Sequence, residues 1–321
     1  MNEFELIQHF FTRSACAQGG ENILLGIGDD CALLQIPAGQ SCAVSTDTLV
    51  SGIHFPEQAP AFLLGQRALV VAVSDLAAMG ATPVGFTLAI TLPQIDTPWL
   101  QAFSEGLSAM ALQCGIALIG GDTTRGPLAI TVTVMGAVPQ SRALLRSGAR
   151  VGDVLCVSGA LGAAGAAVPD VGGERDVHSL PGRVQQQLLA AYWTPQPQLE
   201  LGRYLLGKAH AALDISDGLL ADCGHIAKAS GVSLQIQQTQ VPVASAAEQV
   251  LDAHAALQSA LSGGDDYQLA FTLPASAVAQ VQHDFPAVRV IGQVCSGSGV
   301  HLVNAAGQSV AALRRGYQHF E

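Results

Sequence analysis

Residues 119–125 read Ile-Gly-Gly-Asp-Thr-Thr-Arg, one carboxylate, two hydroxyls and one guanidinium within four positions after two glycines. Asp122 suits a cation, and Thr123, Thr124 and Arg125 suit phosphate oxygens. The glycines permit a sharp turn and close backbone approach to a ligand. A polar turn between strands, with Asp122 bonding its own backbone, would leave the same letters. What distinguishes the two is recurrence. Gly28-Asp29-Asp30, Ser45-Thr46-Asp47, Ser74-Asp75, Asp214-Ile215-Ser216-Asp217-Gly218 and Gly263-Gly264-Asp265-Asp266 likewise set aspartates beside small or hydroxylated residues at the margins of apolar runs.

Carboxylates drawn together by burial repel one another, by about 4 kcal/mol per close pair at an effective dielectric near 20, and need a cation to neutralise them. Oxygen donors without thiolates favour Mg²⁺ over zinc. The pattern therefore predicts a multi-metal site, and phosphoryl transfer is the chemistry such a site serves, by positioning anions and neutralising charge. The one near-match to a phosphate loop, residues 202–209, ends in Ala209 instead of a hydroxyl, is bulky inside and follows no strand. It is better read as an amphipathic helix with a solvated Lys208.

Composition narrows the classes. The 321 residues are 49% hydrophobic and 12% charged, so the chain is globular, with a length that favours two domains. Lys and Arg number 14 against 25 Asp and Glu, a net charge of −11, and no basic run occurs, which argues against nucleic acid. Seven dispersed cysteines, with no C-x-x-C, suit a reducing compartment, hence a cytoplasmic protein, without a zinc site or a disulfide framework. The N-terminus lacks the basic start of a signal peptide. The most apolar stretch, 68–90, is broken by Asp75, Gly80, Pro83 and Gly85 and is not expected to span a membrane.

The elements that must carry these residues alternate between helices and strands, a mixed α/β pattern. Periodicity predicts helices over 3–12, 61–79, 99–113, 184–193, 198–209 and 219–230. Strands are expected over 84–92, 115–119, 128–138, 154–158, 211–215, 232–236, 267–273, 288–294 and 300–303. A hairpin of 31–36 with 41–46 around Pro37-Ala38-Gly39-Gln40 would bring Asp29, Asp30 and Asp47 to one edge. Asp75 falls inside the 61–79 helix, as a ligand or as the cap of a second short helix. Residues 169–183, rich in Gly, Pro and charge, read as a mobile loop. The turn-rich stretch 139–152 separates a domain over 1–142 from an α/β domain over 143–321.

Taken in order, Gly28-Asp29-Asp30, Ser45-Thr46-Asp47-Thr48 with Gly52-Ile53-His54-Phe55, Ser74-Asp75-Leu76-Ala77-Ala78-Met79-Gly80-Ala81, Gly120-Gly121-Asp122-Thr123, Asp214-Ile215-Ser216-Asp217-Gly218-Leu219 and Gly316-Tyr317-Gln318-His319-Phe320 resemble the thiamine-monophosphate kinase family. Its superfamily includes aminoimidazole ribonucleotide synthetase and selenophosphate synthetase. The likeness spans nearly the whole chain. It implies ATP-dependent phosphorylation of thiamine phosphate to thiamine diphosphate, with several Mg²⁺ ions and with ATP as co-substrate. It also implies a homodimer whose N-terminal sheets meet across the two-fold to make the nucleotide site. By the same resemblance Asp30, Ser45, Thr46, Asp47, Asp75, Asp122, Asp214 and Asp217 match metal ligands. Gly121, Asp122, Arg146 and Ser216 match ATP contacts, and His54, Asp265 and Tyr317 match contacts to thiamine phosphate. The chain departs from the family at Asp265, where Glu is usual, and at Gln198, where Arg is expected. A related synthetase acting on another acceptor, or a non-catalytic sensor of magnesium-bound nucleotide, would carry the same aspartates.

Overall fold

A computed structural model describes residues 2–310 and Gly316, and the chain divides into two compact units. Unit 1 comprises Met1–Leu76 and Ala81–Ser141; unit 2 comprises Ala77–Gly80 and Arg142–Glu321.

In unit 1 a short helix α1 (Glu3–Leu6) continues as a wider turn over Ile7–Thr12. Strands β1 (Ile23–Leu25) and β2 (Leu33–Leu34) pair antiparallel with each other. The expected hairpin is therefore not formed. β3 (Gln40–Val50) pairs along its whole length with β6 (Ala129–Pro139) instead. Eleven paired positions outweigh the two residues β2 could offer. The sheet is completed by β4 (Thr82–Leu92) and β5 (Ala117–Arg125), in the order β3-β6-β4-β5, with β4 and β5 parallel. Helices α2 (Ala61–Ala78) and α3 (Thr97–Cys114) belong to this part of the chain. They approach closely because Gly65 and Gly106 carry no side chain. A Cβ on Gly106 would lie 1.9 Å from the Phe62 carbonyl oxygen, and one on Gly65 2.2 Å from that of Phe103. Asp96 caps α3 by accepting the Trp99 N–H, and Gly115 ends it at φ 64°. α2 is long and apolar enough to cross a membrane by length and composition, but 78% of it is buried within the fold, as a core helix would be. The 68–90 stretch thus divides between α2 and β4.

Alternation gives the four-stranded sheet two unlike faces. Phe86, Leu88, Ile90, Ile130, Val132 and Val134 are buried on one. The other is lined by hydroxyls. Thr46 meets Thr133 and Thr48 meets Thr131, each pair 2.9 Å apart between side-chain oxygens. The register carries the second row on through Ala89 to Asp122.

Unit 2 is built on a seven-stranded sheet. Its strands are β7 (Val154–Val157), β8 (Ala211–Asp214), β9 (Ser233–Gln237), β10 (Leu269–Leu273), β11 (Arg289–Cys295), β12 (Gly299–Val303) and β13 (Ser309–Val310). The order is β13-β12-β9-β11-β7-β10-β8, antiparallel except for β9 with β12. Leu155 and Val157 face α7 (Leu219–Ser230) and α9 (Ala253–Ser262). Cys156 faces the other way, toward α6 (Leu199–Leu205) and α10 (Val278–Asp284). Apolar side chains on both faces explain the continuous apolar runs of its strands. α4 (Ala163–Val171), α5 (Gly182–Trp193) and α8 (Ser245–Val250) complete the unit. The expected loop over 169–183 is shorter than predicted, because α4 runs on through Pro169 and α5 begins at Gly182. The near-match to a phosphate loop is helix α6, where a Cβ on Gly202 would lie 2.0 Å from the Ala77 carbonyl oxygen. Lys208 is exposed beyond it, bonded to the Tyr204 carbonyl.

Candidate active site

Ser45 and Asp47, two apart on β3, share the sheet face whose next strands carry the buried Val134 and Val132. α2 brings Asp75 to them, and the Ser45 hydroxyl donates to the Asp75 carboxylate. Asp75 lies in the last turn of α2, not at the cap of a second helix. Burial, and then the negative charge of Asp75, push the Asp47 carboxyl up to about 6. Two carboxylates and a hydroxyl thus meet in partly desolvated surroundings, a donor set of hard oxygens that a divalent cation would neutralise. Thr46 points to the opposite face, where it bonds Thr133, so its side chain does not join Ser45 and Asp47. His54 sits in the turn after β3, its Nδ1 accepting the Val50 N–H at 3.0 Å.

Asp122 is at the other edge of the sheet. The motif around it is not a turn but the second half of β5. Gly121 is demanded by the fold itself. A Cβ there would lie 1.9 Å from the Leu88 carbonyl oxygen, whereas one on Gly120 would meet nothing closer than Thr87 Cγ2 at 3.8 Å. Asp29, Asp30, Gly121 and Asp122 line one cavity of about 410 Å³, whose apolar wall includes Phe11 and Ile119.

β3 and β5 are three strand spacings apart, roughly 14 Å at the usual separation. Asp47 and Asp122 also lie on opposite faces of the sheet. Unit 1 of one chain therefore does not bring Asp47 and Asp122 together. Among the described residues no group of three or more His, Cys, Asp or Glu side chains is arranged to hold a metal ion.

Unit 2 contributes a third cluster. Asp214, 7% exposed, ends β8, and the chain turns through Ile215-Ser216-Asp217-Gly218 into α7. The Ser216 carbonyl accepts the Asp265 N–H, and the Ile215 carbonyl accepts the Tyr267 N–H, both at 2.8 Å. Asp265 and Tyr267 have φ of 60° and 48°, rare for residues with side chains, and the Tyr267 hydroxyl donates to Asp265 Oδ1 at 3.1 Å. Asp266 is buried beneath, accepting the Gly162 N–H. Burial pushes its carboxyl well above the usual range, with the charge of Asp265 adding to the shift. Gly316 packs on the same loop, since a Cβ there would lie 2.8 Å from the Asp217 carbonyl oxygen. Tyr317 lies outside the described residues. Arg146 is exposed, in a loop whose Gly148 and Ala149 N–H groups bond the Ser230 hydroxyl.

Sequence reasoning missed Asp222. It is 4% exposed, and its Oδ2 accepts N–H bonds from Ser216, Asp217 and Gly218 at 3.1, 3.0 and 3.1 Å. Burial, and then the charge of Asp217, push its carboxyl up to about 7, against the opposing pull of those three bonds. Its signal was an acid in the first turn of a strongly predicted helix, reaching back as a capping side chain does.

Residues 28–138 match the model of the AIR synthase related protein, N-terminal domain, and residues 150–303 match that of the C-terminal domain. A thiamine-monophosphate kinase of Salmonella typhimurium is 45% identical, over 99% of this chain and 98% of its own. The chain belongs to the thiamine-monophosphate kinase family. A crystal structure of thiamine-monophosphate kinase from Stenotrophomonas maltophilia is 43% identical and superposes with a TM-score of 0.83, covering 90% of this chain and 93% of that one. AaThiL complexed with AMPPCP and TMP is 28% identical, with a TM-score of 0.79, covering 88% of this chain and 89% of that one. Both matched domains are thus present in this member of the family.

Proposed function

We infer that the protein transfers the γ-phosphoryl group of ATP to thiamine phosphate, giving thiamine diphosphate and ADP. The observation that carries this reading is end-to-end kinship with thiamine-monophosphate kinases, at 45% identity over 99% of the chain. The paired carboxylates of Asp47 and Asp75 give it a physical basis.

The acceptor is itself a phosphate, with a second pKa near 6, and is mostly dianionic at neutral pH. An acceptor oxygen forms its bond to the γ-phosphorus as the bond from that phosphorus to the bridging oxygen of ADP breaks, with no phosphoenzyme and no general base. The task left to the protein is to hold two anions together. Asp47, Asp75 and Ser45 would hold Mg²⁺ at one edge of the unit 1 sheet, Asp30 and Asp122 at the other, and Asp214 and Asp217 in unit 2. Mg²⁺, when bound, offsets the charge of the phosphates. Gly121, Asp122, Arg146 and Ser216 would contact ATP; His54, Asp265 and Tyr317 would contact thiamine phosphate.

A homodimer fits this reading. Asp47 and Asp122 lie at opposite sheet edges of one chain, so pairing the edge of one copy with that of another would complete the site. The exposed Thr46 and Thr48 face and the exposed Val44 are suited to such contact. All seven cysteines are free, in keeping with a cytoplasmic protein. ADP release with thiamine phosphate, compared with formylglycinamidine ribonucleotide, tests the acceptor. Release driven only by the latter would assign the protein to a related synthetase, and no acceptor-dependent release would make it a nucleotide sensor.

A further inference from the structure

We propose that Asp222 is a positioning residue for nucleotide binding, holding the Ser216-Asp217-Gly218 loop in shape through a single carboxylate oxygen. This role rests on the reading of Ser216 and Asp217 as nucleotide and metal contacts. Three consecutive N–H groups converge on Oδ2 at 3.0–3.1 Å. Such a nest of amides ahead of a helix ordinarily suits an anion from solution. Here the protein fills it with its own side chain, from the first turn of α7. The consequence is directional. With their N–H groups tied back to Asp222, Ser216 and Asp217 are left to address a ligand through side chains, not amides.

The rest of the loop is held from the other side. The Ser216 carbonyl accepts the Asp265 N–H, and Gly218 leaves no room for a Cβ, which would lie 2.8 Å from Ser262 Cα. The backbone of 216–218 is thus gripped between the 263–267 segment and Asp222. Of these restraints, Asp222 alone bonds all three residues. A carboxylate is suited to the task because charge-assisted bonds are stronger than neutral ones, while an asparagine would still present one acceptor oxygen at the same reach.

The test is amide hydrogen exchange on the full-length protein without metal or nucleotide, together with calorimetric titration by Mg·ATP. In the wild type, the Ser216, Asp217 and Gly218 amides should exchange at least about 100-fold more slowly than in an unstructured chain. Asp222→Ala should speed their exchange at least about tenfold and weaken Mg·ATP binding by about tenfold or more, and Asp222→Asn should recover most of both. Unprotected amides in the wild type would overturn the proposal even if Asp222→Ala failed to fold. So would an Asp222→Asn variant as impaired as Asp222→Ala, or faster exchange with unchanged Mg·ATP affinity. A wild-type protein that binds no Mg·ATP would sink the proposed function itself, whatever the exchange rates.

Discussion

Ser45 on the edge strand of the unit 1 sheet donates its hydroxyl to Asp75 in the last turn of helix α2, and this bond joins the two elements beside the half-buried Asp47. Asp47→Asn and Asp75→Asn should each lower turnover at least about 100-fold without recovery at high Mg²⁺, because a neutral amide replaces a charged ligand. Ser45→Ala, which removes a neutral ligand and the donor that orients Asp75, should cost roughly tenfold. Near-normal rates in both asparagine variants would remove the pair from the chemistry.

The raised Asp47 carboxyl makes a prediction about pH. In the metal-free folded protein it binds a proton near pH 6; in the unfolded chain it does so near 3.8. Between those values the folded state holds the extra proton, so this group's contribution to stability rises as pH falls from about 6 toward 3.8. Thermal melts in EDTA should therefore show wild type gaining stability on acidification relative to Asp47→Asn. Parallel melting curves across that window would mean that Asp47 is not strained by burial.

The two adjacent glycines of β5 should behave differently. Gly121→Ala drives a Cβ into the Leu88 carbonyl and should destabilise unit 1 by roughly 3 kcal/mol or more. Gly120→Ala meets only Thr87 Cγ2 at van der Waals distance and should be tolerated. Urea melts of the two variants check this contrast.

The proposed completion of the site by a second copy makes a mixing prediction. Asp47→Asn and Asp122→Asn chains, each inactive alone, should regain activity when unfolded together and refolded. Half of the dimers would be mixed and one of their two sites intact, which gives roughly a quarter of the wild-type rate. No recovery would place Asp47 and Asp122 in the same site of a single chain, or in no common site.

Much of this was legible in the letters. α7 spans 219–230 as its periodicity predicts, and Asp75 lies inside the predicted helix. The failures have physical causes. The 31–36 and 41–46 hairpin looked sound locally, but β3 found eleven partners in β6, far along the chain, and tertiary pairing overrode the turn. The strand expected over 115–119 runs on to Arg125, past two glycines that usually mark a strand's end; here Gly121 serves close strand contact. Burial of the sheet's inner face separated Thr46 from its neighbours Ser45 and Asp47, a division that follows from alternation once the strand is known. Asp222 stayed hidden because a single acid in a helix is more often solvated than turned inward.

Phosphoryl transfer from ATP to thiamine phosphate is the conversion to measure. Purified protein supplied with Mg·ATP and thiamine phosphate should yield thiamine diphosphate and ADP in equal amounts, and the Asp47→Asn variant should form both at least about 100-fold more slowly. ADP formed without thiamine diphosphate, or thiamine diphosphate formed equally well by that variant, would contradict it.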